Sequence, residues 1–266
     1  MAGDYPVPSG PPPTYSDAPN EPLLVPGDAP PARGEGDHVP DDFKYSTSVV
    51  ECSLPIRHAF IRKVYTILSG QLLMTAVIGS TIILNGRVHA WALTNIWAFY
   101  VSLFGSIVLM IGAFIKQRSY PTNLLFLAGF TALESYAVGV VSSLYDTKIV
   151  LQALLITLVV FVGLTLLAMQ TKYDLTGWQM YLSGALWALI GFGFIAMFFP
   201  YSSGMELGYS IVGALVFSGY ILVDTQLIMR KYHPEDEVAA AISLYLDIIN
   251  LFLNILRILN QVNSDN

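Results

Sequence analysis

The chain has 266 residues, of which 54% are hydrophobic and only 12% are charged, with a mean hydropathy of +0.58 and a formal net charge of −6. Soluble domains carry about 25% charged residues, so this composition excludes an ordinary soluble protein and predicts a polytopic membrane protein. Cys52 is the only cysteine, which excludes an intramolecular disulfide and a cysteine-based metal site.

The first 55 residues are rich in proline and acidic side chains and poor in apolar ones. Such a segment cannot bury enough surface to offset its ordering entropy, so we predict a disordered tail over 1–55. It contains Pro12-Pro13-Thr14-Tyr15, a PPxY pattern of the kind that WW domains bind. Two interpretations stay open: a ligand that recruits a WW-domain ubiquitin ligase, or a solvated low-complexity tail. No cleavable signal peptide is expected, so the first span would serve as the targeting signal.

Seven apolar windows follow the tail, and each is long enough to cross a hydrocarbon core of about 30 Å. They fall at about 64–84, 94–115, 122–144, 149–169, 177–199, 205–229 and 238–259. The short connections favour antiparallel neighbours. We therefore predict an all-α membrane protein with seven transmembrane helices in a domain over 56–262. In an alternative six-span arrangement, the last segment is re-entrant.

Lysines and arginines concentrate on the tail's side of these spans, where the positive-inside rule places the cytosol. On that side lie Arg57, Arg62, Lys63, Lys116, Arg118, Lys172, Arg230 and Lys231, whereas Arg87, Lys148 and Arg257 lie nearer the opposite side. We therefore predict a cytosolic N-terminus.

The last span carries a row of polar residues on one helical face. The row consists of Ser243, Asp247, Asn250, Asn254, Arg257 and Gln261, at spacings of three and four residues. Charged groups at the middle of a membrane helix cost about 2.5–3.5 kcal/mol each on insertion scales. A one-sided polar stripe therefore faces a protein interior or a water-filled cavity rather than lipid. We expect this helix to be central, with the stripe lining a pathway for ions.

Asp224 in the sixth span and Asp247 in the seventh lie at equal distances from the turn between the two spans. In an antiparallel hairpin this places both carboxyl groups at a similar depth. Two facing carboxylates in a low-dielectric site cannot both ionise easily, so the pair would share a proton and titrate as a unit. The alternative is two polar residues that are satisfied separately in packing contacts.

Three further charged residues are candidates for a site. Glu134 lies near the middle of the third span, either as a protonated acid bonded to a neighbouring hydroxyl or as an ion ligand. Lys116 and Arg118 close the second span on the side nearer the aspartate pair. Either residue is a candidate counter-ion for the ionised pair, or an ordinary anchor at the membrane interface.

Five long stretches resemble the Bax inhibitor-1 and lifeguard superfamily, the transmembrane Bax inhibitor motif proteins. They are RHAFIRKVYTILSGQLLMTAV, YPTNLLFLAGFTALES, LYDTKIVLQALLITLVVFVGLT, GALVFSGYILVDTQLIM and AAISLYLDIINLFLNILRILN. The resemblance covers about residues 43–262 and is closest to the lifeguard branch that includes the Golgi anti-apoptotic protein. The proline-rich segment 1–42 lies outside it.

The resemblance implies a fold in which the last helix is wrapped by the other six. It also implies a pH-sensitive calcium leak through an endomembrane (Golgi, endoplasmic reticulum or vacuole), and suppression of stress-induced cell death together with cell-death regulators. The pair that controls the leak corresponds to Asp224 and Asp247, which would bind calcium transiently. Family structures place a basic residue of the second helix near this pair, but here the second span offers only Lys116 and Arg118 at its end. Glu134 matches an acid of the third helix in the lifeguard branch.

Calcium prefers carboxylate and carbonyl oxygens, which the stripe and Asp224 supply, and a leak requires weak binding. We expect calcium as the permeant ion, the lipid bilayer as the surroundings, and neither a tightly bound cofactor nor a nucleic-acid partner. We also expect no enzymatic activity. Intramembrane aspartyl proteases also carry aspartates in two spans, but their Tyr-Asp and Gly-x-Gly-Asp contexts differ from Val223-Asp224-Thr225 and Leu246-Asp247-Ile248. The other alternative is a membrane adaptor that acts through the PPTY motif, with a purely structural stripe.

Overall fold

A computed structural model describes residues 48–196, 198 and 202–264. The PPxY motif and most of the predicted tail therefore lie outside the described residues. Within them the chain forms eight α-helices, with short 3-10 turns at Val49–Glu51 and Thr176–Trp178. The helices are α1 Leu54–Leu84, α2 Gly86–Thr94, α3 Ile96–Ile115, α4 Thr122–Ser142, α5 Thr147–Gln170, α6 Gln179–Ala196, α7 Ser203–Arg230 and α8 Glu237–Ser264.

Seven of these helices are long and apolar enough to cross a membrane, which confirms the prediction of seven spans. They are all but α2, which has nine residues and would be only about 14 Å long. α8 runs unbroken for 28 residues, about 42 Å, so the six-span alternative with a re-entrant last segment does not describe this helix. The chain is therefore an integral membrane protein with an all-helical membrane domain.

Two parts of the helical pattern differ from the hydropathy windows. α1 begins at Leu54, ten residues before the predicted window, because its first turns carry Arg57, Arg62 and Lys63, which lower the local hydropathy without breaking the helix. α2 occupies a stretch that the windows leave as a connection. Its N-terminus is capped by Asn85, whose side-chain oxygen accepts hydrogen bonds from the backbone N–H groups of Arg87 and Val88 at 3.1 and 3.4 Å.

The seven spans differ strongly in how much of their surface the protein itself covers. In α8, 72% of the most apolar window is buried by other parts of the protein, against 6% for the segment that contains α6. α8 packs against α1, α3, α4, α5 and α7, whereas α6 packs mainly on α7. The arrangement in which all six other spans wrap α8 stays a prediction, since the structure gives it five packing neighbours among them.

The residues just before α1 pack against the helical domain. The Val49 side chain is fully buried, and its backbone N–H donates a hydrogen bond of 2.9 Å to the carbonyl oxygen of Tyr232, in the connection between α7 and α8. Cys52 is also buried, and burial raises the pKa of its thiol, with a smaller contribution from the charge of Glu51. Val49 and Cys52 thus pack against the helical domain, whereas Val50, Glu51 and Ser53 are exposed.

Candidate functional site

Asp224 and Asp247 lie on the adjacent helices α7 and α8, which pack closely along their length. Asp224 is six residues before the end of α7 and Asp247 ten residues after the start of α8, so they lie about 9 and 15 Å into the helices. Both side chains are buried, with exposed fractions of 7% and 6%. The charge of Asp224 acts on Asp247, and Oδ2 of Asp247 has no hydrogen-bond partner. The two buried carboxyl groups therefore lie within electrostatic range of each other, and one oxygen of Asp247 is unsatisfied.

The connection between α7 and α8 covers one side of this pair. The Tyr232 hydroxyl lies 3.5 Å from Oγ of Ser243, the first residue of the polar stripe. Burial raises the pKa of Tyr232 to about 12, the Ser243 contact lowers it, and the charges of Asp224, Asp236 and Asp247 raise it further. Because all three carboxylates act on this phenol, Tyr232 is the residue of the connection that lies within electrostatic range of the aspartate pair.

The two candidate counter-ions lie beside the same connection. Arg118 donates from Nε and Nη2 to Oδ1 of Asp236, both at 3.3 Å, and this is an ion pair between the α3–α4 and α7–α8 connections. Lys116 is exposed at the end of α3. In this structure Arg118 thus pairs with Asp236 rather than with either member of the aspartate pair. The role of a counter-ion for Asp224 and Asp247 stays a prediction.

The farther part of the polar stripe borders a cavity of about 160 Å³ between α6, α7 and α8. Its lining consists of Leu186, Leu189, Ile190, Tyr209, Gly213, Phe217, Asn250, Leu253, Asn254 and Arg257. Nδ2 of Asn250 donates to the Leu246 carbonyl and Nδ2 of Asn254 to the Asn250 carbonyl, both at 2.8 Å. The stripe therefore has two parts: Ser243 and Asp247 are covered by the connection, and the three residues from Asn250 to Arg257 face a cavity.

Gly213 of α7 faces Asn254 of α8 beside this cavity. A Cβ atom added to Gly213 would overlap the side-chain amide of Asn254, whose Cγ would lie 2.8 Å away. Only glycine leaves room for the buried amide at this level of α7. The close approach thus fixes the position of Asn254 relative to α7.

Glu134 belongs to a different cluster, in which α4 meets α1, α3 and α8. Its carboxyl interacts with the hydroxyl of Ser106 on α3. Whether Glu134 acts as a protonated acid or as an ion ligand stays a prediction. Nearby, the Thr75 hydroxyl lies 2.8 Å from Oγ of Ser135 and 2.9 Å from the Tyr245 hydroxyl. Tyr245 is fully buried in α8, on a face away from the stripe.

This cluster was not identified from the sequence, although the sequence contains a signal for it. Gln71 and Thr75 are four residues apart on α1, and Thr131 and Ser135 are four residues apart on α4. The pairs meet across the helices, since Nε2 of Gln71 donates to Oγ1 of Thr131 at 3.1 Å and Thr75 contacts Ser135. Polar residues at equal spacing on two spans indicate such an interface.

Gln226 is a second residue that the sequence analysis missed. It is 1% exposed, and its amide joins α7 to the connection between α5 and α6. Oε1 accepts from the Leu175 N–H at 2.7 Å, and Nε2 donates to the Tyr173 carbonyl at 2.9 Å. In the same connection Asp174 accepts two hydrogen bonds from Thr176, which lower the pKa of the Asp174 carboxyl. Hydrogen bonds from α7 and hydrogen bonds within the connection thus hold its conformation.

Seven apolar helices, the most buried of which carries Asp247, Asn250 and Asn254 on one face, define a polytopic membrane protein. Comparison with known proteins identifies the family. Residues 57–264 match the family model Bax1-I, described as inhibitor of apoptosis-promoting Bax1, and the chain belongs to this family. The match covers all seven spans nearly completely.

Three relatives illustrate the similarity. The chain is 39% identical to Bax inhibitor 1 of Schizosaccharomyces pombe over 264 residues, which cover 96% of this chain and 99% of the relative. It is 42% identical to protein lifeguard 4 of Mus musculus over 226 residues, 85% of this chain and 94% of the relative. It is 38% identical to the Golgi anti-apoptotic protein of Vaccinia virus (strain Lister), also over 226 residues, 85% of this chain and 95% of the relative. None of these three names denotes an enzyme.

Proposed function

We propose that the chain is a pH-sensitive calcium leak channel of intracellular membranes, controlled by Asp224 and Asp247, that suppresses stress-induced cell death. The names of the relatives, Bax inhibitor 1 and Golgi anti-apoptotic protein, support the role in cell death and a location in the Golgi or a connected endomembrane. The calcium leak rests on the family resemblance and on the arrangement of polar residues in α7 and α8.

The observation that carries the proposal is the buried pair itself. Two carboxyl groups lie within electrostatic range on neighbouring helices, and one oxygen of Asp247 has no hydrogen-bond partner. Burying one carboxylate in a membrane domain is costly, and burying two beside each other is more so, unless a proton or a cation compensates the charge. The pair is therefore suited to exchange a proton for a calcium ion.

The mechanism follows from the position of the pair between the connection and the cavity. At low pH a shared proton links α7 to α8, and the covered part of the stripe stays closed. When the pair loses its proton, the two carboxylates repel each other, and the helices part beside Tyr232. The freed carboxylates then attract calcium, which passes to the amide oxygens of Asn250 and Asn254. Two carboxylates bind calcium weakly enough for release, because calcium takes six to eight oxygens and the pair supplies only some of them.

Calcium flux into proteoliposomes, measured between about pH 6 and 8, tests this proposal, because the mechanism makes the leak depend on the protonation of the pair. We expect wild-type flux to rise with pH, and we expect Asp224→Asn and Asp247→Asn to abolish that dependence. Asp146→Asn is the matched control, since Asp146 caps α5 at an exposed position and asparagine caps helices equally well. A wild-type flux that rises steadily on acidification would contradict the mechanism.

A second candidate function, an adaptor for WW-domain ubiquitin ligases, is favoured by the PPTY motif at residues 12–15. The motif lies outside the segment that matches the family, so it would add a function to the membrane domain. A pull-down of WW domains with the full chain and with Tyr15→Ala tests it. Equal capture by both chains would argue against the adaptor.

A further inference from the structure

The cavity between α6, α7 and α8 has the dimensions and the polarity of a binding site. Its volume of about 160 Å³ is close to that of an engineered cavity of about 150 Å³ that binds benzene. Most of its wall is apolar, supplied by Leu186, Leu189, Ile190, Phe217 and Leu253. The remaining wall is polar and comes mainly from α8. A ligand that fits must therefore have an apolar part and a small polar end.

The polar end of the cavity carries a positive charge. Arg257 lines the cavity and is partly buried, and no carboxylate among the described residues forms an ion pair with it. A guanidinium in these surroundings favours an anion, and its planar fork suits the two oxygens of a carboxylate.

The amide side chains beside Arg257 leave hydrogen-bonding capacity unused. Oδ1 of Asn254 has no hydrogen-bond partner although the side chain is only 6% exposed. The Nδ2 groups of Asn250 and Asn254 each donate one bond to a backbone carbonyl, which leaves one N–H on each amide. The Tyr209 hydroxyl makes only a long contact of 3.4 Å with the Leu189 carbonyl. Amide N–H donors thus line the cavity together with the guanidinium.

We propose that this cavity binds the carboxylate head of a long-chain fatty acid. The head would lie on Arg257 between the two amides, and the first methylenes would occupy the apolar wall. The rest of the chain would lie in lipid along α6, whose apolar window is only 6% buried by protein. This binding does not depend on the proposed calcium leak.

Equilibrium binding of radiolabelled oleate to the purified full chain in detergent micelles tests the proposal. We expect saturable binding, weakened about tenfold or more by Arg257→Gln, because this change removes charge-assisted hydrogen bonds. The matched control is Arg87→Gln, an exposed arginine predicted on the same side of the membrane, which should leave binding unchanged. Leu189→Trp, which fills the cavity and keeps the charge, should also abolish binding.

A conservative variant and a measurement of helix content distinguish loss of the binding site from misfolding. Arg257→Lys should retain part of the affinity, which separates loss of charge from misfolding, and helix content should be equal in all variants. Equal weakening by Arg87→Gln and Arg257→Gln, or oleate binding that does not saturate, would overturn the site. Displacement of oleate by phosphatidic acid at equal concentration would overturn the assignment to a carboxylate.

Discussion

The two ends of the membrane domain are built differently. At the end that holds the α7–α8 connection, separate segments are tied together: Val49 to Tyr232, Arg118 to Asp236, and Gln226 to the connection after α5. Towards the other end, α6, α7 and α8 enclose a cavity beside the close approach at Gly213. The difference indicates that hydrogen-bonded connections hold one end of the domain together, whereas incomplete helix packing leaves a cavity towards the other. The following four predictions test this contrast.

The largest effect is expected for Gln226→Ala, which removes the tie to the connection after α5. The change leaves the Leu175 N–H and the Tyr173 carbonyl without their partner and creates a cavity at a position that is 1% exposed. We expect the free energy of unfolding to fall by about 3 kcal/mol. Thermal unfolding in detergent measures it, with Gln179→Ala at an exposed position of α6 as the control. Equal stability of the two variants would show that the Gln226 hydrogen bonds do not stabilise this end of the domain.

Tyr232 should make the same end sensitive to alkali. Its pKa is raised from 10.0 to about 12, first by burial and then by the three nearby carboxylates, so folding favours the protonated phenol. The associated stability is fully present below pH 10 and is lost as pH rises towards 12. It amounts to about 2 kcal/mol, and Tyr232→Phe should remove this part of the pH dependence. Unfolding at a series of alkaline pH values checks it, and identical profiles would contradict it.

At the cavity end, Gly213→Ala should destabilise the protein although alanine is the better helix former. The added Cβ overlaps the amide of Asn254, whereas at Gly208, on the same helix, an added Cβ meets nothing within 4 Å. We expect Gly213→Ala to cost about 1–2 kcal/mol and Gly208→Ala to gain about 0.5 kcal/mol. Thermal unfolding of the two variants compares them directly. A change in the free energy of unfolding with the same sign in both variants would show that α7 and α8 can shift enough to admit the added Cβ.

The smallest effect is expected for Arg118→Gln. The ion pair with Asp236 joins two connections, but the arginine side chain is 46% exposed, so solvent screens it. We expect a loss of less than about 1 kcal/mol, reduced further by high salt. Unfolding at low and high ionic strength measures it, with Lys116→Gln as the control at the same end. A loss as large as that of Gln226→Ala would mean that the ion pair holds the connections together.

The sequence predicted the seven spans because a membrane helix must be apolar over a fixed length, and hydropathy measures both. It did not predict α2, which is too short to span, or the early start of α1, whose basic residues lower the hydropathy. In both cases local helix formation, which hydropathy does not report, decided the outcome.

The candidate site was predictable to a different extent. The row from Ser243 to Arg257 follows from helical spacing, and the similar depth of Asp224 and Asp247 follows from the symmetry of a hairpin. The partner of Arg118 did not follow, because it depends on how two connections fold over each other. Gln226 carries no pattern at all, since a single glutamine acquires its importance only from the backbone groups placed opposite it.

The burial of α8 has a consequence for how the protein is made. Its polar face would be costly against lipid, and five of the other spans supply the surface that covers this helix. α8 is also synthesised after all of them. Stable insertion of α8 therefore requires that the earlier helices have already assembled around an open groove. The last helix then packs into the helical bundle rather than into lipid.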